Sequence, residues 1–180
     1  MQSLLTYVDA NKDRYIAELK DLLAIPSVST NPENVEDIRR CASWMSDHMK
    51  SIGLQNVQLF PTAGHPIVYG DWLNAPGKPT VLLYGHYDVQ PPEPLELWTS
   101  PPFEGTIRDG RLYARGAADD KGQVFIHLKS IEAYLRNGGD LPVNIKLLIE
   151  GEEEIGSDNL ESFVKEQKNL LKADLVLISA

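Results

Sequence analysis

Apolar residues recur at helical spacing in two long segments near the start of the chain. In residues 4–23 they form one stripe, which ends before Ile25-Pro26 because a residue that precedes proline avoids the α region. A second helix is predicted over residues 32–52, where apolar side chains follow one another at steps of three or four residues. Gly53 is suited to end that helix in a left-handed conformation.

Two further helices are predicted in the second half of the chain. One begins after Asp120, which is expected to cap it together with Gln123 as a variant of the capping box, and ends at Gly138-Gly139. The other begins after Ser157, with the carboxylate of Asp158 favourable in its first turn.

Strands are predicted between these helices. The segment at residues 80–84, with sequence TVLLY, is apolar without alternation, which is typical of a strand buried on both faces. Asp109-Gly110 indicates a tight turn in a small hairpin over residues 106–113. The other predicted strands cover residues 57–60, 67–69, 143–150 and 175–179. The alternation of helices and strands predicts an α/β fold, layered α/β/α, with a mostly parallel central sheet.

Composition and charge exclude several classes of function. The 180 residues carry a formal net charge of −9, so neither a nucleic acid nor an anionic membrane surface is an expected partner. No apolar run approaches the roughly 18 residues of a membrane span, and charged residues interrupt the first 25 positions, as a signal peptide would not allow. The single cysteine, Cys41, excludes an internal disulfide and suits a reducing compartment, so the cytoplasm is the predicted location.

Polar residues with metal-binding chemistry follow the buried strands. His86 and Asp88 come directly after the strand at 80–84, and Glu152, Glu153 and Glu154 follow the strand at 143–150. The predicted start of a helix adds two more carboxylates, Asp119 and Asp120. Ligands in open α/β sheets collect beyond the carboxyl ends of the strands, so one imidazole and six carboxylates are expected to share one edge.

Crowded carboxylates repel one another, and a divalent cation is the simplest compensation. One histidine among carboxylates favours Zn²⁺, with Mn²⁺ or Co²⁺ also possible. Asp88 could accept the second ring N–H of His86 and so fix the tautomer that binds a metal. Each feature also has an ordinary explanation, because acidic runs are usually solvated and an aspartate at a helix start can be a simple cap.

Three segments closely resemble the M20 family of metallopeptidases. They are GHYDVQP at residues 85–91, WTSPPFEGTIRDGRLYARGAADDKG at 98–122 and EGEEEIGS at 150–157. The similarity is greatest to the cytosolic, carnosinase-like dipeptidase branch, and the family also contains aminoacylases and succinyl-diaminopimelate desuccinylase. The resemblance extends from about residue 12 to residue 180 and implies peptide or amide hydrolysis at a centre of two Zn²⁺ ions.

The resemblance also assigns roles to individual residues. It makes His86 a ligand of one metal, Asp119 the bridge between two metals and Glu154 a ligand of the second, with Asp88 orienting His86. Glu153 corresponds to the general base. It implies a cis peptide bond between Asp119 and Asp120 and gives Glu152 no role.

Two departures from the family pattern affect the expected activity. Ala180 stands where the family has a metal-binding aspartate, and a further ligand, a histidine, is expected only far downstream. Residues 1–180 are therefore interpreted as the N-terminal portion of the catalytic domain, without the lid or dimerisation domain and the C-terminal catalytic segment. We expect weak metal binding and little or no catalysis from this chain, and a homodimer for the full-length protein.

Other functions are compatible with the same sequence. A non-catalytic fragment or pseudoenzyme could act through binding, and an N-acyl-amino-acid deacylase would use the same chemistry on an acylated amino acid instead of a small peptide. A nucleotide-binding domain is disfavoured, because neither G-x-x-x-x-G-K-[ST] nor G-x-G-x-x-G occurs.

Overall fold

The computed structural model describes residues 2–179, and Ala180 lies outside the described residues. Its helices are α1 (Gln2–Leu23), α2 (Val35–Ile52), α3 (Lys121–Asn137), α4 (Leu160–Glu166) and α5 (Lys168–Leu171). Its strands are β1 (Gln55–Phe60), β2 (Ile67–Trp72), β3 (Thr80–His86), β4 (Thr106–Arg108), β5 (Arg111–Tyr113), β6 (Asn144–Glu150) and β7 (Leu175–Ile178). Each predicted helix and strand is present, with ends shifted by a few residues. A 3-10 turn at Pro32–Asn34 precedes α2, and Gly53 ends that helix with a φ of 104°.

Five strands form the central sheet in the order β1-β2-β6-β3-β7. The strand β2 is antiparallel to both of its neighbours, whereas β3 is parallel to β6 and β7. Four of these five strands therefore run in one direction, as expected for a mostly parallel sheet. The strands β4 and β5 form the predicted separate hairpin, and Asp109 and Gly110 at its turn have φ values of 51° and 74°. Positive φ at both positions is typical of a two-residue type I′ turn.

Helices cover both faces of the sheet, which confirms the layered α/β/α prediction. Val68, Leu83 and Leu147 point to the face that α1, α2 and α3 cover, and they share a core with Leu22, Met45 and Leu128. The residues that follow them along the strands point to the opposite face, where Phe163 of α4 and Leu171 of α5 complete a second core. Because strand side chains alternate between faces, consecutive apolar residues are both buried, as the run TVLLY predicts.

The predicted capping box at the start of α3 is wrong. The Asp120 side chain makes no capping hydrogen bond; its carboxylate accepts the backbone N–H of His86 at 3.0 Å and the hydroxyl of Ser179 at 3.0 Å. Gln123 donates its amide to the carbonyl of Ala118 at 2.7 Å. Residues from the ends of β3 and β7 reach Asp120 in the folded chain, and a local sequence pattern does not contain them.

An ion cluster around the buried side chains of Lys129 and Glu132 joins the first three helices. The Lys129 ammonium of α3 donates to a carboxylate oxygen of Glu18 on α1, to Glu132 at 2.7 Å and to His48 Nε2 of α2 at 2.7 Å. Arg14 pairs with both carboxylates. Burial and the positive charge of Lys129 lower the pKa of His48 to about 4. Two cations therefore balance two carboxylates, with a neutral imidazole between them.

The edge strand β7 is exposed over its whole length. Its four apolar residues have exposed fractions between 47% and 68%.

No helix within residues 2–179 is long and apolar enough to cross a membrane.

Candidate metal centre

His86 lies at the carboxyl end of β3, where the parallel register pairs it with Glu150 at the end of β6. Its side chain is completely buried. The ring Nδ1 lies 3.1 Å from the carbonyl oxygen of Asp88 and 3.3 Å from its carboxylate. The other ring nitrogen, Nε2, has no hydrogen-bond partner among residues 2–179, although Asp119 Oδ1 lies only 3.0 Å away. A neutral imidazole that donates Nδ1–H to Asp88 would leave the lone pair of Nε2 free for a metal ion.

Asp88 connects the loops that follow β3 and β6. Its buried carboxylate accepts the backbone N–H of Glu153 at 3.3 Å and that of Glu154 at 3.1 Å. The same side chain therefore faces the His86 ring and fixes the main chain of the acidic turn.

Asp119 and Asp120 are joined by a cis peptide bond, as the resemblance implies. Their carboxylates have different surroundings: the Asp119 side chain is 63% exposed and lies beside His86 Nε2, whereas Asp120 is fully buried. Gly85 makes room for Asp120, because a Cβ atom at Gly85 would lie 2.6 Å from the Asp120 carboxylate.

Glu153 and Glu154 come from a short 3-10 turn that follows β6. A carboxylate oxygen of Glu153 lies 3.9 Å from His86 Nε2, and its side chain is 36% exposed. The Glu154 carboxylate accepts the side-chain amide of Gln90 at 2.6 Å. Sequence reasoning missed Gln90, and its only signal is its position two residues after Asp88.

Two other glutamates of this region lie in the interior. The buried Glu150 carboxylate accepts the hydroxyls of Tyr84 at 2.5 Å and Ser157 at 2.9 Å. Glu152 is also buried and accepts hydrogen bonds from His65 and Asn159. Of the acidic triplet, Glu153 and Glu154 are thus the two members whose carboxylates are available to the site around His86.

The electrostatics of the site favour a bound cation. Burial lowers the pKa of His86, but the hydrogen bond to Asp88 and the surrounding carboxylates outweigh it and raise the pKa to about 9. Burial raises the pKa of Asp120 to about 6 and also raises the pKa of Glu154. The carboxylates thus favour positive charge on the ring, while burial penalises negative charge around it. A metal ion would relieve both effects.

The residues present fit a zinc site in donor chemistry and partly in position. Ligands of a tetrahedral zinc ion lie about 3.4 Å apart when each is about 2.1 Å from the metal. The 3.0 Å between His86 Nε2 and Asp119 Oδ1 is close to that separation. The predicted ligands do not form a set of three atoms within 4.8 Å of one another; over residues 2–179 only Glu18, His48 and Glu132 do so. The Lys129 ammonium contacts all three of those side chains, so that set already holds a cation.

Comparison with known proteins identifies related sequences. The profile of peptidase family M20/M25/M40 matches residues 82–179. Beta-Ala-His dipeptidase from Rattus norvegicus is 34% identical over an alignment that covers 94% of this chain and 37% of that protein. Cys-Gly metallodipeptidase from Candida albicans is 37% identical, with 99% of this chain and 40% of that protein covered.

A solved structure shows the same fold. The crystal structure of human carnosine dipeptidase 1 matches with a TM-score of 0.91 and 33% identity, over 99% of this chain and 40% of that chain. The chain therefore spans about two fifths of the length of these relatives.

Proposed function

Because the chain belongs to peptidase family M20/M25/M40, we propose that it forms part of a metal-dependent dipeptidase, a hydrolase that cleaves small peptides at a dinuclear zinc centre. The observation that carries this proposal is the completely buried His86, whose Nε2 has no hydrogen-bond partner in the described part of the chain and lies 3.0 Å from Asp119. The dipeptidase names of its relatives support the substrate class.

Three side chains would hold the metal. His86 and Asp119 would bind one zinc ion, and Asp119 and Glu154 would bind the other. Bound zinc lowers the pKa of a coordinated water from 15.7 towards about 7 and polarises a carbonyl group. Asp88 would orient the His86 ring through Nδ1, and Gln90 would hold the carboxylate of Glu154.

Glu153 is the proposed general base. Its carboxylate lies 3.9 Å from His86 Nε2 and is partly exposed, so it can reach a water molecule beside the metal ligands. In the forward reaction Glu153 takes a proton from that water as the oxygen attacks the peptide carbonyl. It then delivers the proton to the leaving amine as the C–N bond breaks, which yields one amine and one carboxylic acid, and the acid releases its remaining proton to solvent.

Zinc titration of this chain tests the metal centre. Each ion would have two protein ligands, whereas zinc sites usually have three or four, so we expect dissociation constants in the micromolar range or weaker. Loss of a side chain that only supports a ligand weakens metal binding 10- to 100-fold. His86 is a proposed ligand itself, so His86→Ala should weaken zinc binding by at least about tenfold. Competition with a chromophoric chelator gives both constants.

His127→Ala is the matched control, because His127 lies on α3 and is not a predicted ligand. This variant should bind zinc like the wild type. Equal zinc affinity of His86→Ala and the wild-type chain would exclude His86 as a ligand. Two ions bound with submicromolar constants would instead show that the chain holds a more complete ligand set than the one proposed.

A further inference from the structure

We propose that Glu152 is a positioning residue, which holds the turn carrying Glu153 and Glu154 in place at the candidate metal centre. This inference rests on the proposed function, because it concerns the residues that would bind zinc and accept the proton. The sequence pattern gives Glu152 no role, since one acid in a run of three is usually solvated.

Glu152 is instead a buried carboxylate with a complete set of hydrogen bonds. Its side chain is buried, and the residue has an exposed fraction of 4%. One oxygen accepts the backbone N–H of His65 at 2.9 Å and the side-chain amide of Asn159 at 3.0 Å. The other accepts the backbone N–H of Asn159 at 3.3 Å and its side-chain amide at 2.9 Å. A carboxylate has about four lone-pair sites, so this one has none left for a metal ion.

The residues that donate hydrogen bonds to Glu152 come from two segments, one before and one after the acidic turn in the sequence. His65 lies in the loop between β1 and β2, and Asn159 directly precedes α4. The backbone carbonyl of Glu152 also accepts the N–H groups of Ile155 at 3.1 Å and Ser157 at 2.8 Å, which close the turn. Glu152 therefore fixes the turn through both its main chain and its side chain.

Asp88 holds the same turn through a different loop. It accepts the N–H groups of Glu153 and Glu154 from the loop after β3, whereas Glu152 ties the turn to the β1–β2 loop and to α4. The backbone of Glu153 and Glu154 is thus held between two buried carboxylates, those of Asp88 and Glu152. A ligand and a base need this kind of support, since a displacement of about 1 Å can cost 100-fold in rate.

Gly64 shows how closely the β1–β2 loop fits against Glu152. A Cβ atom at Gly64 would lie 1.6 Å from Glu152 Oε1 and 3.0 Å from the Asn159 amide. Gly64 does not have a positive φ, so alanine is compatible with its backbone and the conflict is one of space. Gly64→Ala should therefore displace the Glu152 carboxylate without changing its chemistry.

Hydrogen exchange on the 180-residue chain tests directly whether Glu152 holds the acidic turn in place. In Glu152→Gln, one carboxylate oxygen becomes an amide that faces the two N–H donors of Asn159, so the hydrogen bonds there are lost while the side-chain volume is kept. We expect amides of residues 64–65 and 152–159 to exchange at least about tenfold faster than in the wild type. Gly64→Ala should accelerate exchange in the same segments.

Asp71→Asn is the matched control. Asp71 is a second buried carboxylate, on β2, and it accepts hydrogen bonds from the Tyr69 hydroxyl at 2.8 Å and the Asn56 amide at 2.9 Å. Its replacement should lower stability while leaving exchange at residues 152–159 unchanged. Unchanged exchange in Glu152→Gln, or equal acceleration in Asp71→Asn, would overturn the proposed role of Glu152.

Zinc affinity supplies a readout that a purely structural role would not change. Glu152→Gln and Gly64→Ala should each weaken zinc binding about tenfold, as outer-shell replacements do, whereas Asp71→Asn should not. Wild-type affinity in Glu152→Gln would overturn the inference alone. A wild-type chain that binds no zinc would overturn the proposed function and this inference with it.

Discussion

Replacement of Glu153 by glutamine is expected to reduce dipeptide hydrolysis by about 10²- to 10⁴-fold, the usual contribution of a general base. Glutamine has nearly the same shape but cannot take a proton from water at neutral pH. The variant belongs in a polypeptide that extends this chain to the length of its relatives, because the chain covers about two fifths of them. The measurement is kcat for a dipeptide together with the zinc content of the purified protein.

The metal content of Glu153→Gln should equal that of the unmodified protein, because Glu153 is not one of the proposed ligands. Glu161→Gln is a suitable control, since Glu161 is an exposed carboxylate on α4 that pairs with Lys165. It should leave kcat unchanged. A kcat of Glu153→Gln within tenfold of the unmodified value would exclude Glu153 as the base, and a loss of zinc would assign it to the metal site instead.

The position of the candidate site could be predicted because it depends on strand direction. His86 ends β3 and the acidic turn follows β6, and these two strands are parallel neighbours in the sheet. The buried strands that the sequence predicts are therefore enough to place His86 and Glu153 at one edge of the sheet. Only the family resemblance assigns different roles to Glu152, Glu153 and Glu154, since spacing alone leaves the register of an acidic triplet open.

The supporting contacts could not be predicted, because their partners are distant in the sequence. Glu152 lies 87 positions from His65, and Lys129 lies 81 positions from His48. Asp120 shows the same difficulty, since its partners are His86 at the end of β3 and Ser179 directly after β7, and these replace the local cap that its sequence favours. Local propensity describes a helix start well only when no tertiary partner competes for the side chain.

The surroundings of His48 also depend on residues that are distant in the sequence. Its position near the end of α2, with no acid at ligand spacing in the sequence, predicts a surface or core residue. In the fold, Glu18 of α1 and Glu132 of α3 lie close to His48, together with Lys129. The charge balance of that cluster depends on the single lysine at its centre.

Replacement of Lys129 by methionine is therefore expected to destabilise the chain by about 3 kcal/mol, near the lower end of the 3–5 kcal/mol for breaking a buried ion pair. The side chains of Lys129 and Glu132 are 6% and 5% exposed, so the carboxylate that loses its partner remains poorly solvated. Arg14 still pairs with Glu132 and limits the loss. Chemical denaturation of both chains at pH 7 measures the difference in the free energy of unfolding.

Lys165→Met is the control, because Lys165 and its partner Glu161 are exposed and such pairs contribute about 0–1 kcal/mol. The double variant with Lys129→Met and Glu132→Gln should recover part of the lost stability, since it removes the uncompensated charge. A cost below 1 kcal/mol for Lys129→Met would show that the cluster does not hold the three helices together.

The pH dependence of stability should change with the same substitution. Burial raises the pKa values of Glu18 and Glu132, but hydrogen bonds and charge interactions with Lys129 and Arg14 outweigh this and lower them. The pKa of His48 is lowered from 6.5 to about 4. All three groups thus bind protons more weakly in the folded chain, so the stability that they contribute is complete above pH 6.5 and is lost as the pH falls towards 4 and below.

Without Lys129 the carboxylates and His48 accept protons more readily, so the stability difference between wild type and Lys129→Met should shrink steadily from pH 7 to pH 4. A difference that stays constant over this range would mean that Lys129 acts through packing rather than through its charge.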